Sequence, residues 1–181
     1  FLAAKCPPDR VRKLMEEDSP GFDPELWAQV AEQGWPGAAI PEEHGGLGLG
    51  YLELCCIAEE LGRAVAPVPF ASTVYFFAEA LLRAGTAEQK AKYLPQVVTG
   101  ELIGTIASAE QAGAVSAANI SAEVSGGKLT GVKMPVTDGV VAHHAVVLAK
   151  EGGKPTLYLV DLNGPGVTRE AVNTIDRSRE A

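Results

Sequence analysis

Near residue 100 the spacing of apolar residues changes, and that change constrains what this chain can fold into. Upstream, apolar side chains recur every three to four positions, the period of a helix with one buried face; downstream they alternate with polar neighbours, the period of a strand. Asp23 followed by Pro24 marks a helix start, and Leu26, Trp27, Val30 and Ala31 form its apolar side. Leu54, Ile57, Ala58 and Leu61 repeat the pattern, stopped by Gly62. Pro67 and Pro69 predict an extended link over residues 64–70. Ser72 is placed to cap a helix that turns Val74, Phe77, Ala78, Leu81 and Leu82 inward and ends at Gly85. Thr86 and Gln89 fit a capping box for the next, which presents Ala91, Leu94 and Val98. Short helices with short links predict an all-α bundle over residues 1–100.

Past that point Ile120, Ala122 and Val124 alternate with polar residues, and Gly126-Gly127 forms the centre of a hairpin whose return strand runs over residues 129–136. A second Gly-Gly turn at Gly152 and Gly153 separates residues 141–149 from 156–161, and Asn163 to Gly166 is a third breaker. The expected fold class is α+β: the helical bundle, then an antiparallel β-barrel or sandwich over residues 101–181.

Charge and cysteines narrow the function. A net charge of −8 argues against a nucleic-acid surface, and no apolar run approaches the roughly 20 residues of a membrane-spanning helix, so no membrane insertion is expected. No export leader is visible at Phe1. Cys6, Cys55 and Cys56 are an odd set, read as buried free thiols in a reducing compartment, which implies a cytoplasmic location. Adjacent His143 and His144 would face opposite sides of a strand, so no metal site is expected. His44 reads as an exposed loop histidine, and Glu59 and Glu60 as solvated residues within reach of Arg63.

Residues 41–50, PEEHGGLGLG, read as a tight, irregular connection between helices, because glycines at 45, 46, 48 and 50 relax the backbone. The string also resembles a loop near the start of acyl-CoA dehydrogenases, the flavoenzymes that desaturate acyl thioesters between Cα and Cβ. WAQVAEQGWPGAAIPEEHGGLGLG, EELGRAVAPVPF, GTAEQKAKYLPQVVTGE and GGKLTGVKMPVTDG all look like segments of that family, in the expected order. The resemblance covers almost the whole chain. It implies a helical domain and a β domain, FAD as cofactor, an acyl-CoA substrate and electron-transfer flavoprotein or another acceptor. A homo- or hetero-oligomer is implied as well. EELGRAVAPVPF is similar to members acting on bulky acyl-CoA esters, in which mixed assemblies occur.

In the family the flavin wall comes from two motifs. The first is an aromatic, two residues, then Thr-Glu-Pro-Gly-x-Gly-Ser-Asp, and its counterpart here is IASAEQAGAVS at residues 106–116. Ile106 stands for the aromatic, Ala109 for the flavin-binding hydroxyl, Gln111 for the proline, and Ala112, Gly113 and Ala114 for the small-residue loop; Glu110 matches. The second is Trp-Ile-Thr-Asn-Gly, here PVTDG, with Pro135 for the tryptophan, Asp138 for the asparagine, and Thr137 and Gly139 retained. The resemblance therefore implies cofactor contacts at Ile106, Ser108, Ala109, Pro135, Val136 and Thr137, and substrate contacts at Val115 and Ser116. It implies no catalytic residue here: the family's base lies in a later helical region, beyond the point where this sequence stops at DRSREA. Turnover by these 181 residues alone is not expected. A non-catalytic partner subunit with a decayed flavin site, or an unrelated ligand-binding protein, are the alternative readings.

Overall fold

The computed structural model describes residues 1–16, 21–111, 113 and 115–172. Its helices are α1 (Leu2–Lys5), α2 (Pro8–Glu16), α3 (Pro24–Glu32), α4 (Tyr51–Arg63), α5 (Glu79–Ala84) and α6 (Ala87–Val98), and a π-helical stretch, Ala71–Ala78, runs directly into α5. Local chemistry sets several of the ends. Asp23 accepts the Leu26 N–H and a two-pronged contact from Arg10 of α2, so one carboxylate starts α3 and ties it to its neighbour. Thr86 and Gln89 form the reciprocal capping box that opens α6. The Trp27 indole donates to the Gly100 carbonyl at 2.8 Å, pinning α3 to the end of α6.

The 41–50 loop folds back on the segment before it. Leu47, Gly48 and Leu49 donate to the carbonyls of Gly37, Ile40 and Ala38. A Cβ on Gly46 would sit 2.0 Å from the Ile40 carbonyl oxygen, so only glycine permits this approach.

The strands are β1 (Gly104–Ala107), β2 (Glu123–Ser125), β3 (Lys128–Thr130), β4 (His144–Glu151) and β5 (Lys154–Asp161). The sheet is mixed and, among the described strands, open; the expected antiparallel barrel or sandwich is not what forms. β4 pairs antiparallel with β5 along its whole length. On its other edge it pairs parallel with β1 through His144 to Val147, then parallel with β2 through Lys150 and Glu151. Only the two Gly-Gly hairpins, β2–β3 and β4–β5, are antiparallel. Two strands far apart in sequence share one edge of β4, and long connections allow parallel pairing there.

Two apolar clusters join helices to sheet. One holds Leu26, Trp27, Val30, Leu61, Val68 and Phe70 together with Ile103 and Ala142. The other gathers Ile40, Phe77, Leu81, Leu94 and Val97 around Leu102 and Val146. Phe77 lies so close over Gly104 that a Cβ there would be 2.2 Å from the ring.

Several local expectations are corrected. Residues 64–70 turn rather than extend, with Val65 at φ 46° and short-range bonds from Val68 to Ala66 and from Phe70 to Val68. Ser72 caps nothing: it lies buried inside the π-helical stretch. In α6 the buried residues are Leu94, as expected, and Val97, with Val98 half-buried and Ala91 exposed, and α4 runs one residue past Gly62. β3 ends at Thr130, short of the return strand expected over residues 129–136. Cys55 and Cys56 are exposed and only Cys6 is buried, because α4 turns both adjacent positions toward solvent. His44 is half-buried beside Glu43 rather than exposed. Glu59 and Glu60 are exposed and both pair with Arg63.

Candidate functional site

β1 ends at Ala107, and the chain leaves the sheet through Ser108, Ala109 and Glu110. The PVTDG segment lies alongside. Met134 N–H donates to the Ala109 carbonyl at 2.9 Å, and the Thr105 hydroxyl donates to the Thr137 carbonyl at 2.7 Å. Two motifs more than twenty residues apart thus become one wall. The Met134–Pro135 peptide is cis.

Asp138 anchors this wall from behind. It is buried, adopts φ 55°, and accepts a hydrogen bond from the Ser72 hydroxyl at 2.5 Å. Asp tolerates the left-handed region better than most residues, and a buried carboxylate needs such a donor. Thr137 is exposed in front. Its hydroxyl, its N–H and that of Val136 make no hydrogen bond to any described residue. That hydroxyl is therefore not used to satisfy its own turn, as a threonine beside Asp-Gly often does.

Glu110 faces the other way. Its carboxylate accepts from the backbone N–H groups of Ser121 (2.7 Å) and Ala122 (3.0 Å), from the Ser121 hydroxyl, and from Lys133 Nζ at 2.6 Å. Glu110 and Lys133 side chains are each 9 % exposed. Burial pushes the Glu110 carboxyl up, but Lys133 and the Ser121–Ala122 donors outweigh it and hold it down at about 2.

The residues singled out from sequence separate into groups. Ser108, Ala109, Val115 and Ser116 line one shallow pocket with Glu110 and Gln111, so part of the cofactor set and the whole substrate set meet. Pro135, Val136 and Thr137 adjoin Ala109 through the Met134 bond but do not line that pocket. Ile106 packs among Phe77, Leu94 and Val146, whereas Val136 packs with Ala107, Ala145 and Val147. Ala112 and Ala114, and the DRSREA end, lie outside the described residues. Sequence reasoning missed Lys133, Ser121 and the buried role of Asp138. Lys133 carried no sequence signal, because its partner Glu110 lies 23 residues away.

The histidines diverge. His143 Nδ1 accepts the Ile103 N–H at 3.0 Å, while the His144 ring stacks at a tilt on Tyr93. Burial lowers the His144 pKa, with Asp161 opposing and His143 and Lys92 reinforcing. Among the described residues no cluster of three or more His, Cys, Asp or Glu could hold a metal, and no helix is long and apolar enough to cross a membrane.

A flavin needs hydrogen-bond donors at its polar edge and a surface to cover its ring. The exposed Thr137 hydroxyl and the Val136 and Thr137 N–H groups supply donors. Ala109 supplies no hydroxyl and Pro135 no aromatic face, so the site fits mainly through backbone and one threonine.

Comparison with known proteins bears on the family and the fold. The family described as acyl-CoA dehydrogenase, N-terminal domain, matches residues 1–101. Isovaleryl-CoA dehydrogenase from Arabidopsis thaliana mitochondria is 42% identical over 138 residues, 73% of this chain and 34% of that protein. A variant of the Tcur3481–Tcur3483 steroid ACAD is 36% identical with a TM-score of 0.87, covering 99% of this chain and 50% of its own. The ChsE4–ChsE5 complex from Mycobacterium tuberculosis is 32% identical with a TM-score of 0.83, covering 94% of this chain and 46% of its own. The chain spans between a third and a half of the length of these relatives. Residues 1–101 and the strand layout that follows place this chain in the acyl-CoA dehydrogenase family.

Proposed function

We propose that this chain supplies the flavin wall of an FAD-dependent acyl-CoA dehydrogenase that desaturates an acyl-CoA thioester between Cα and Cβ. The observation that carries the reading is the side-by-side placement of residues 108–110 and 134–138, with the hydroxyl of the exposed Thr137 and the Val136 and Thr137 N–H groups bonded to no described residue. Ser108, Ala109, Pro135, Val136 and Thr137 would hold the cofactor from this side, with Ile106 supporting β1 from behind, and Val115 and Ser116 would meet the substrate. FAD, when bound, supplies the hydride acceptor. Thr137 donates to it, the Thr105–Thr137 and Ser72–Asp138 bonds keep that donor aimed, and the exposed apolar side chains of Val132, Met134 and Val115 would exclude water once covered.

The likeness to a steroid ACAD and to a two-protein complex supports a bulky acyl-CoA and a mixed assembly, with electron-transfer flavoprotein or a similar carrier as acceptor. Residues 1–100 and 101–181 would act as a helical and a β domain, in a cytoplasmic protein. The switch from helix to strand at Gly104 supports that division.

Purification of the full-length protein, with its partner if it has one, tests the reading: a yellow complex with flavin absorbance that bleaches anaerobically on adding an acyl-CoA is expected. A colourless protein that takes up no added FAD would refute it. Ala109 and Pro135 favour a second reading, a non-catalytic partner subunit, and bound flavin that acyl-CoA does not bleach would select it.

A further inference from the structure

Glu110 and Lys133 do more than neutralise one another. Their ion pair joins three segments that are otherwise only lightly connected: the exit of β1, the entry to β2 and the approach to PVTDG. Glu110 reaches Ser121 and Ala122 with both oxygens, and Lys133 reaches Glu110 at 2.6 Å and the Ser108 carbonyl at 3.5 Å. Among the described residues the backbone contributes only the Met134–Ala109 bond between the two wall segments at this point. Both side chains are about nine-tenths buried, so each charge depends on the other.

We propose that Glu110 and Lys133 are positioning residues: their ion pair sets the spacing of residues 108–109 and 134–137, and so aims the cofactor-facing groups of the wall. The proposal rests on the flavin reading above. It requires no contact between either side chain and the cofactor. Because Glu110 also holds the entry to β2, loss of the pair loosens one corner of the wall while the β4–β5 hairpin stays intact.

The test uses the full-length protein with Lys133→Met, Glu110→Gln, and Lys133→Arg as the variant that keeps the charge. Amide hydrogen exchange is followed at Met134, Ser121 and Ala122, with β4–β5 amides as the internal reference, and FAD affinity is measured by titration into the apo forms. Loss of a charge-assisted bond predicts exchange at those three amides about tenfold faster or more, and FAD affinity about tenfold weaker, in Lys133→Met and Glu110→Gln. Lys133→Arg should stay close to the parent in both. Unchanged exchange at Met134 overturns the clamp. Faster exchange with unchanged FAD affinity overturns its role toward the cofactor. If Lys133→Arg is as damaged as Lys133→Met, or both methionine and glutamine variants fail to fold while Lys133→Arg also loses FAD, packing rather than the ion pair is responsible and the proposal fails. A parent that binds no FAD refutes the proposed function and the cofactor role together, whereas the exchange data still decide whether the clamp exists.

Discussion

The β4–β5 hairpin and the wall made by residues 108–110 and 133–138 belong to the same sheet region, yet different forces hold them. The hairpin is registered residue by residue from His144–Asp161 to Glu151–Lys154, so its order comes from the backbone ladder. The wall has almost no ladder. Side chains hold it instead: Thr105 on the Thr137 carbonyl, Ser72 on Asp138, Lys133 on Glu110. The difference teaches where a ligand can bind. A ladder consumes the backbone donors that a cofactor would need, whereas clamping by side chains leaves them free at the surface.

If the two regions are separable in this way, each should be breakable without the other. The largest effect should come from the shared core. Leu94 is fully buried in the cluster that includes Val146 of β4, so Leu94→Ala should cost about 2–5 kcal/mol. Denaturant unfolding would read this as a lower midpoint, with FAD affinity of the still-folded protein unchanged. Flavin loss well before unfolding in that variant would show that the wall depends on the core after all.

Acid separates the regions by pH. Glu110 is held at about 2 in the folded protein against an ordinary value of 4.5, so its stabilising contribution is complete above 4.5 and is lost as pH falls toward 2. In Glu110→Gln that part of the pH–stability curve should flatten. His144 acts at higher pH. Its folded pKa lies below the ordinary 6.5, so the unfolded chain binds the proton more readily and stability should decline as pH falls from about 7 through that value. In His144→Gln this earlier decline should disappear while the Glu110 decline persists. Melting temperatures across pH 3–8 for the parent and both variants check the order.

The smallest effect on stability should come from Thr137→Val. The hydroxyl is exposed and bonded to no described residue, so stability should stay within about 0.5 kcal/mol of the parent. FAD affinity should nevertheless fall by a factor of a few to about tenfold, the worth of one hydrogen bond. Pro135→Trp should move affinity the other way if the ring finds the uncovered face. Unchanged affinity in both would place the flavin elsewhere.

What could be read from the sequence was whatever depends on near neighbours. Asp23-Pro24 and Thr86 with Gln89 announced helix starts because a cap needs only the next few residues. The Gly-Gly pairs announced both hairpins for the same reason. The parallel pairing of β1 and β2 on β4 left no local trace, since nothing near Gly104 or Glu123 encodes which distant strand it meets. Within the site, Thr137 was visible as a surviving hydroxyl, and its freedom to donate is what the structure adds. Glu110 matched a motif, but its partner Lys133 lies 23 residues away and carries no mark of the pairing. Ser72 looked like a cap because serine just before an apolar run with helical spacing is a favoured N-cap; its bond to Asp138 spans 66 residues.

The Phe77 ring resting on Gly104 also fixes the order in which this junction can change over evolutionary time. Gly104→Ala alone forces a methyl to within 2.2 Å of the ring, a contact no rotamer of a fully buried phenylalanine relieves without moving the helix. Phe77→Ala alone removes the Cγ and Cδ atoms that the methyl would strike and leaves a void but no clash, and the alanine at 104 then has somewhere to go. The two substitutions are therefore strongly epistatic, and only one of the two paths between them passes through a foldable intermediate. Drift here must lose the ring before it gains the methyl.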